Sequence, residues 1–314
     1  MVLLGSRYWH TRPQRISLVN VDAKLKRTGR IRFSVRFFFT LFVFPLFVTS
    51  LALASSEWLR APVPDNNVAG VTLVIHGLNT KPDKMHALAF ELNSMKQDVL
   101  LVKLTGHQND LPEFKNVTRS QFLLNVEESV KRAGVEARVK GRPLNLLAYS
   151  LGALLAMELV ADGRAKFDRM ILLAPALAIH SRSYLIKIFS IFGNSYLVPS
   201  MSPEDYRANP GTSIAAYRAV FESLAALKIV QTPQWQKANV PSLVFLDPDD
   251  ELVSRSGVSE FILGNALSEW HLKFITASGS TVQPKYHHLI IDEPTLGLEP
   301  WRSMIQDVRL HLAP

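Results

Sequence analysis

A lone serine, a crowd of acids and a pair of histidines stand at three separated points of the chain, each beside a short apolar run. The serine is Ser150, in the stretch Ala148-Tyr149-Ser150-Leu151-Gly152. The acids are Asp247, Asp249 and Asp250, in DPDDELVS, and the histidines are His287 and His288, in KYHHLIIDE. A hydroxyl attacks a carbonyl carbon well only when a base takes its proton, and imidazole is suited to that task near neutral pH. The base needs a carboxylate on its other ring nitrogen to fix its tautomer and hold the charge it acquires. Serine, acid and histidine, in that order along the chain, could therefore carry acyl transfer. Cysteine is absent, which excludes thiolate nucleophiles, disulfides and cysteine-type zinc sites.

The elements around these residues decide whether they can meet. LNLLAY, residues 144–149, follows Arg142-Pro143 and is short and mostly apolar, which is how a strand buried on both faces looks. LGALLAMELV, residues 151–160, is built of strong helix formers and is apolar around most of a turn, which predicts a central helix. Ser150 thus falls on a strand-to-helix switch. Small neighbours two positions away on each side, Ala148 and Gly152, let strand and helix approach closely. Further buried strands are expected at 71–77, 98–104, 169–175, 241–247 and 271–277. Helices are expected at about 84–95, 120–134 and 300–312, the second with Thr118 or Ser120 as its cap. Strands alternating with helices imply a parallel sheet of about six strands covered on both faces. Between the strands at 169–175 and 241–247 runs a stretch with no strand signal, too long for a loop, and it is expected to be a helical cap at about 177–240.

The N-terminus differs from the rest. The chain has a net charge of +8, with 35 Lys and Arg against 27 Asp and Glu. Nine of those basic residues and one of the acids fall in residues 1–36, so the remainder is neutral. A neutral body offers no footprint for nucleic acid, and no such partner is expected. The basic segment leads into FFFTLFVFPLFVTSLALA, residues 37–54, which ends in Ala52-Leu53-Ala54. A positive flank, an apolar run and an A-x-A site predict a signal peptide cleaved after Ala54, or a membrane anchor made by the same segment. The expected organisation is therefore a basic segment at 1–36, an apolar segment at 37–54 and one domain at 55–314, either exported or anchored.

The motifs VIHGLN, LTGHQND, AYSLGA, LLAPAL and FLDPDDELVS together resemble the α/β-hydrolase superfamily. Within it, the monoacylglycerol lipase, lysophospholipase and serine aminopeptidase type is most similar. The resemblance spans residues 71–314 and departs in three ways. Ala148 replaces the first glycine of the elbow, Asp247 stands where a glycine is usual, and little chain precedes Val71 for the two antiparallel strands that open the fold. The resemblance implies Ser150 as nucleophile and Asp250 as the triad acid, since Val253 follows it three residues later. It implies the backbone N–H groups of Leu78 and Leu151 as the oxyanion hole. His76 is expected to be structural. For the base, relatives place an acid five residues on, which both His287 (Asp292) and His288 (Glu293) satisfy. His287 is preferred, because Leu289 and Ile290 follow at two and three residues. No metal or organic cofactor is expected.

What the resemblance implies is ester hydrolysis through an acyl-enzyme. The apolar stretch at 183–200, Tyr184 to Phe192 above all, is expected to line an acyl pocket, which favours a lipid ester such as a monoacylglycerol or lysophospholipid. The apolar leader and cap would also bring the protein to membranes. A peptidase binding a free amine through Glu204 and Asp205 is the rival enzyme, and a non-catalytic binding protein on the same fold is the rival from another class.

Overall fold

The computed structural model describes residues 56–282 and 286–313. The predicted leader lies outside the described residues. Among those described, no helix is long and apolar enough to cross a membrane.

Among the described residues, nine strands form two sheets. They are β1 (Glu57–Leu59), β2 (Gly70–Ile75), β3 (Gln97–Val102), β4 (Leu144–Tyr149), β5 (Arg169–Leu173), β6 (Leu197–Pro199), β7 (Gly211–Ser213), β8 (Ser242–Leu246) and β9 (Trp270–Phe274). The main sheet has the order β1-β3-β2-β4-β5-β8-β9. Six of its strands are parallel, and β1 alone pairs antiparallel, on the outer edge of β3. The expected six-stranded parallel sheet is thus present, with one short edge strand added. All residues of β2, β3, β4 and β8 are buried, which is why each reads as an unbroken run rather than an alternation.

The chain runs outward from β2 to β3, then returns to place β4 on the other side of β2. Such a reversal opens a crevice beyond the C-terminal ends of the two strands, where open α/β sheets bind ligands. Leu78 follows β2 there and Ser150 follows β4. Every residue of the helix Leu151–Ala161 is buried. The helix Arg119–Lys140 begins on Thr118, whose hydroxyl accepts from Gln121 N–H in a capping box, and stops at Gly141 with φ 61°. It outruns the predicted 120–134 because Gly134 only weakens a helix, whereas Gly141 in the left-handed region ends one.

The insertion between β5 and β8 is mixed rather than purely helical. It holds a 3-10 segment (Ser181–Phe192), the antiparallel pair β6–β7 and the helix Ile214–Lys228. It is fastened to the main body by a reciprocal amide pair. Asn79 Nδ2 donates to Asn209 O at 3.1 Å, and Asn209 N donates to Asn79 Oδ1 at 2.8 Å.

Two buried histidines brace the loops beside the crevice. His76 Nδ1 donates to Gly77 O and its Nε2 accepts from Leu104 N–H. His107 Nδ1 donates to Thr105 O and its Nε2 accepts from Asn79 N–H. Each ring is therefore held neutral, and their centroids lie 4.8 Å apart. His76 is structural, as its place in the turn implies. Burial holds His76 well below the ordinary imidazole range and lowers His107 to about 4. In the unfolded chain both protonate near pH 6.5. Between that value and about 4 the unfolded state binds more protons, so stability falls as pH falls through this window. Thermal unfolding from pH 7 to 4.5 should show that loss. His107→Gln, which supplies an amide acceptor and donor without titrating, should flatten it, and an unchanged slope would place the loss elsewhere.

Candidate active site

Ser150 sits at φ 50°, ψ −112°, a conformation unusual for any residue with a side chain. It is reached because β4 runs straight into the buried helix with no loop between them. Gly152 makes that junction possible, since a Cβ there would lie 2.7 Å from Ile75 O and 2.8 Å from His76 O. Gly77 is constrained in the same way, with a Cβ falling 2.7 Å from the Tyr149 ring. Ala148 is fully buried and its methyl is accommodated, so the relaxed first position of the elbow costs no room.

The structure brings Ser150, Asp250 and one histidine together, and that histidine is His288. Its Nδ1 donates to Asp250 Oδ2 at 2.8 Å, which leaves Nε2 to accept from the Ser150 hydroxyl, also at 2.8 Å. His287 points elsewhere, donating from Nδ1 to Asp247 Oδ2 at 3.0 Å. The preference for His287 is thereby corrected to His288. The physical reason is that neither sequence criterion separates the two. Leu289, Ile290 and Ile291 are all buried, so an apolar pair follows either histidine at the required offsets. Asp292 is occupied as the cap of the short helix Glu293–Leu296 and as acceptor of the Tyr206 hydroxyl at 2.8 Å.

Asp250 is 4% exposed, at the turn that follows β8. Burial by itself pushes its carboxyl up. The His288 ring and the N–H groups of Val253 and Leu252, both donating to Oδ1 at 2.8 Å, outweigh burial and hold it below the ordinary range. The acid is therefore ionised at neutral pH and faces imidazole with its free oxygen. Tyr149 OH donates to His288 O at 3.1 Å and adds a further hold on the histidine loop.

A cavity of about 290 Å³ opens over Ser150 and His288. Leu78 and Leu151 both line it, as does Ser150. Leu151 is the first residue of its helix, where N–H groups lack intrahelical partners. The walls include Ile186, Val198, Met201, Val220 and Phe221. Of the segment 183–200 expected to form the acyl pocket, Ser183, Ile186, Val198, Pro199 and Ser200 line the cavity, whereas Phe189 and Phe192 do not. Those two pack on Tyr196 instead, with centroids at 6.0 and 5.0 Å. The face repeating every third residue of a 3-10 segment starts in the cavity and runs out beyond it.

Among the described residues, one group of potential metal ligands gathers, Asp247, Asp249 and His287, with donor atoms within 4.8 Å of one another. Asp247 is already engaged there, accepting from His287 Nδ1 and from Asp249 N–H. Glu204 and Asp205, the acids considered for an amine, are absent from the cavity walls, and Glu204 is exposed beside Arg207.

The profile of the serine aminopeptidase family, S33, matches residues 66–278, about two thirds of the chain. No curated protein sequence matches it. Among solved structures, a soluble variant of monoglyceride lipase from Saccharomyces cerevisiae, in complex with a substrate analogue, superposes with a TM-score of 0.66 at 17% identity. That match covers 82% of this chain and 94% of the yeast protein. A metagenome-derived lipolytic enzyme gives 0.62 at 18% identity, over 82% and 99%. The monoacylglycerol lipase of Paleococcus ferrophilus gives 0.57 at 14% identity, also over 82% and 99%. These similarities establish the fold. The matched length, the seven-stranded sheet and the elbow at Ser150 place the chain in the serine aminopeptidase (S33) family of α/β-hydrolases.

Proposed function

We propose that the protein hydrolyses neutral carboxylic esters, with monoacylglycerols as the first substrate class. The observation that carries this reading is the cavity itself. Among the described residues that line it, none is Asp, Glu, Lys or Arg, and the walls are mainly apolar. An acyl chain gains from such walls, whereas an unpaired charge loses its hydration there without a partner. An aminopeptidase needs a counter-charge for its substrate ammonium, and a lysophospholipid carries a phosphate. Neither finds an ionic partner among these residues, and the intact Ser150–His288–Asp250 chain of hydrogen bonds has no use in a mere binding protein.

In this reading Ser150 Oγ attacks the ester carbonyl carbon while its proton passes to His288 Nε2. The carbonyl π pair moves onto oxygen, and the oxyanion meets the N–H groups of Leu78 and Leu151. Collapse breaks the C–O bond, and the departing alkoxide takes the proton from His288. Water then repeats the sequence on the acyl-enzyme and frees the acid and Ser150. Asp250 stays ionised throughout and balances the imidazolium.

The segment at 37–54 supports export or anchoring of this hydrolase. The exposed Leu185, Ile188, Ile191 and Phe192 on the insertion would meet a lipid surface in either case.

A panel of p-nitrophenyl esters, a monoacylglycerol, a lysophosphatidylcholine and an aminoacyl anilide tests the proposal. Each methylene buried against the cavity adds about 0.8 kcal/mol, so kcat/KM should climb roughly fourfold per methylene from acetate until the cavity is full. Ile186→Ser and Phe221→Ser should flatten the climb and spare acetate. A flat profile, or preference for the anilide, would favour the peptidase reading.

A further inference from the structure

The turn that supplies Asp250 supplies a second carboxylate to the histidine loop, and its target is backbone. Glu251 Oε1 accepts from His287 N–H at 3.1 Å, and Glu251 Oε2 accepts from His288 N–H at 3.0 Å. We propose that Glu251 is the positioning residue for the base, a carboxylate clamp that sets where His288 stands between Ser150 and Asp250. This rests on the hydrolase reading of the same site.

The geometry supports it on three counts. First, each oxygen takes a different, consecutive N–H, so the carboxylate fixes both the height and the tilt of the loop. A single hydrogen bond would leave the loop free to rotate about it. Second, Asp250 and Glu251 are neighbours, so one short segment grips His288 by ring and by backbone together. The position of the imidazole is then referred directly to the acid it must face. Third, that segment is itself tied to the insertion. His180 Nε2 donates to Asp250 O at 3.1 Å, and Arg182 donates to Glu251 O at 3.1 Å. The clamp therefore sits on a braced support rather than at a loop tip.

A catalytic constellation has to be held to within about half an ångström, and a misplacement of about 1 Å can cost a hundredfold. Both hydrogen bonds of the His288 ring are 2.8 Å long, so there is little slack to absorb a shift of its Cα. The bonds are also ionic on the acceptor side, which makes them stronger than their neutral counterparts. A glutamine would keep one carbonyl acceptor but place an NH2 against the other N–H, and alanine would leave both N–H groups without this partner.

The test compares wild type, Glu251→Gln and Glu251→Ala, each assayed with a p-nitrophenyl ester. Turnover is divided by the number of sites titrated to completion with a fluorophosphonate, which removes any misfolded fraction from the comparison. We expect kcat per titrated site to fall about tenfold to a hundredfold in Glu251→Ala and less in Glu251→Gln, with KM little changed. The downfield imidazole proton of the His288–Asp250 hydrogen bond, read by NMR without substrate, should shift or broaden in Glu251→Ala and recover in part in Glu251→Gln. Native turnover per titrated site in Glu251→Ala would overturn the proposal, as would a loss confined to the titratable fraction or an unmoved imidazole proton. If wild type neither labels nor turns over, the hydrolase reading fails. The imidazole proton then still decides whether Glu251 positions the ring.

Discussion

His288→Ala is expected to lower kcat/KM for ester hydrolysis by about three to six orders of magnitude, while His287→Ala costs less than about tenfold. The two residues are adjacent and each is hydrogen-bonded to an aspartate, so the contrast is demanding. Only His288 touches the Ser150 hydroxyl. Without it, no other described side chain is hydrogen-bonded to Oγ to take the proton, and the attacking species is a neutral alcohol. His287 spends its Nδ1 on Asp247 and makes no hydrogen bond to Ser150. Removing it leaves Asp247 with the N–H groups of Asp249 and Ala277, so the loop loses one of several ties. Steady-state kinetics on one ester, with the rate of fluorophosphonate labelling as a second readout, decides the matter. A dead His287→Ala beside an active His288→Ala would refute the assignment of the base.

The difference between these neighbours also shows where sequence reading reaches its limit. Strands β2, β3, β4, β5 and β8 are visible in the residues because burial on both faces demands continuous apolar runs. The edge strand β1 is three half-buried residues, Glu57, Trp58 and Leu59, with no period to detect. The pair β6–β7 is equally short and is made by Leu197–Pro199 meeting Gly211–Ser213. Ser150 is legible because its backbone imposes small neighbours on the local sequence, and Asp250 because it stands in the acidic turn after a buried strand. Glu251 leaves no such trace. It acts on backbone N–H groups 36 and 37 positions away, and a backbone donor is present in almost every residue type. The phase of the histidine pair is hidden for a related reason, since the buried run Leu289-Ile290-Ile291 fits either register.

Ser150→Gly and Ser150→Ala should both abolish fluorophosphonate labelling and hydrolysis, yet the glycine variant should be the more stable of the two by about 1–2 kcal/mol. The Ser150 backbone lies at φ 50°, ψ −112°, a region that glycine enters freely and a Cβ does not. Ala keeps the Cβ and therefore the strain, which is of order 1–3 kcal/mol for such conformations, while both variants lose the same hydrogen bond to His288. The greater freedom of glycine in the unfolded chain subtracts about 0.5–1 kcal/mol at unstrained positions, so the expected advantage is smaller than the strain itself. For a domain of this size it corresponds to a rise in Tm of about 2–8 °C over Ser150→Ala. The conformation persists because Ser150 N–H is held by Leu173 O at 2.9 Å and its carbonyl accepts from Leu154 and Ala176, so sheet and helix fix the residue from both sides. Scanning calorimetry of the two inactive variants isolates the effect, since catalysis is absent from both. Equal Tm values would mean that the elbow is relaxed, and residual labelling of either variant would remove Ser150 from the mechanism.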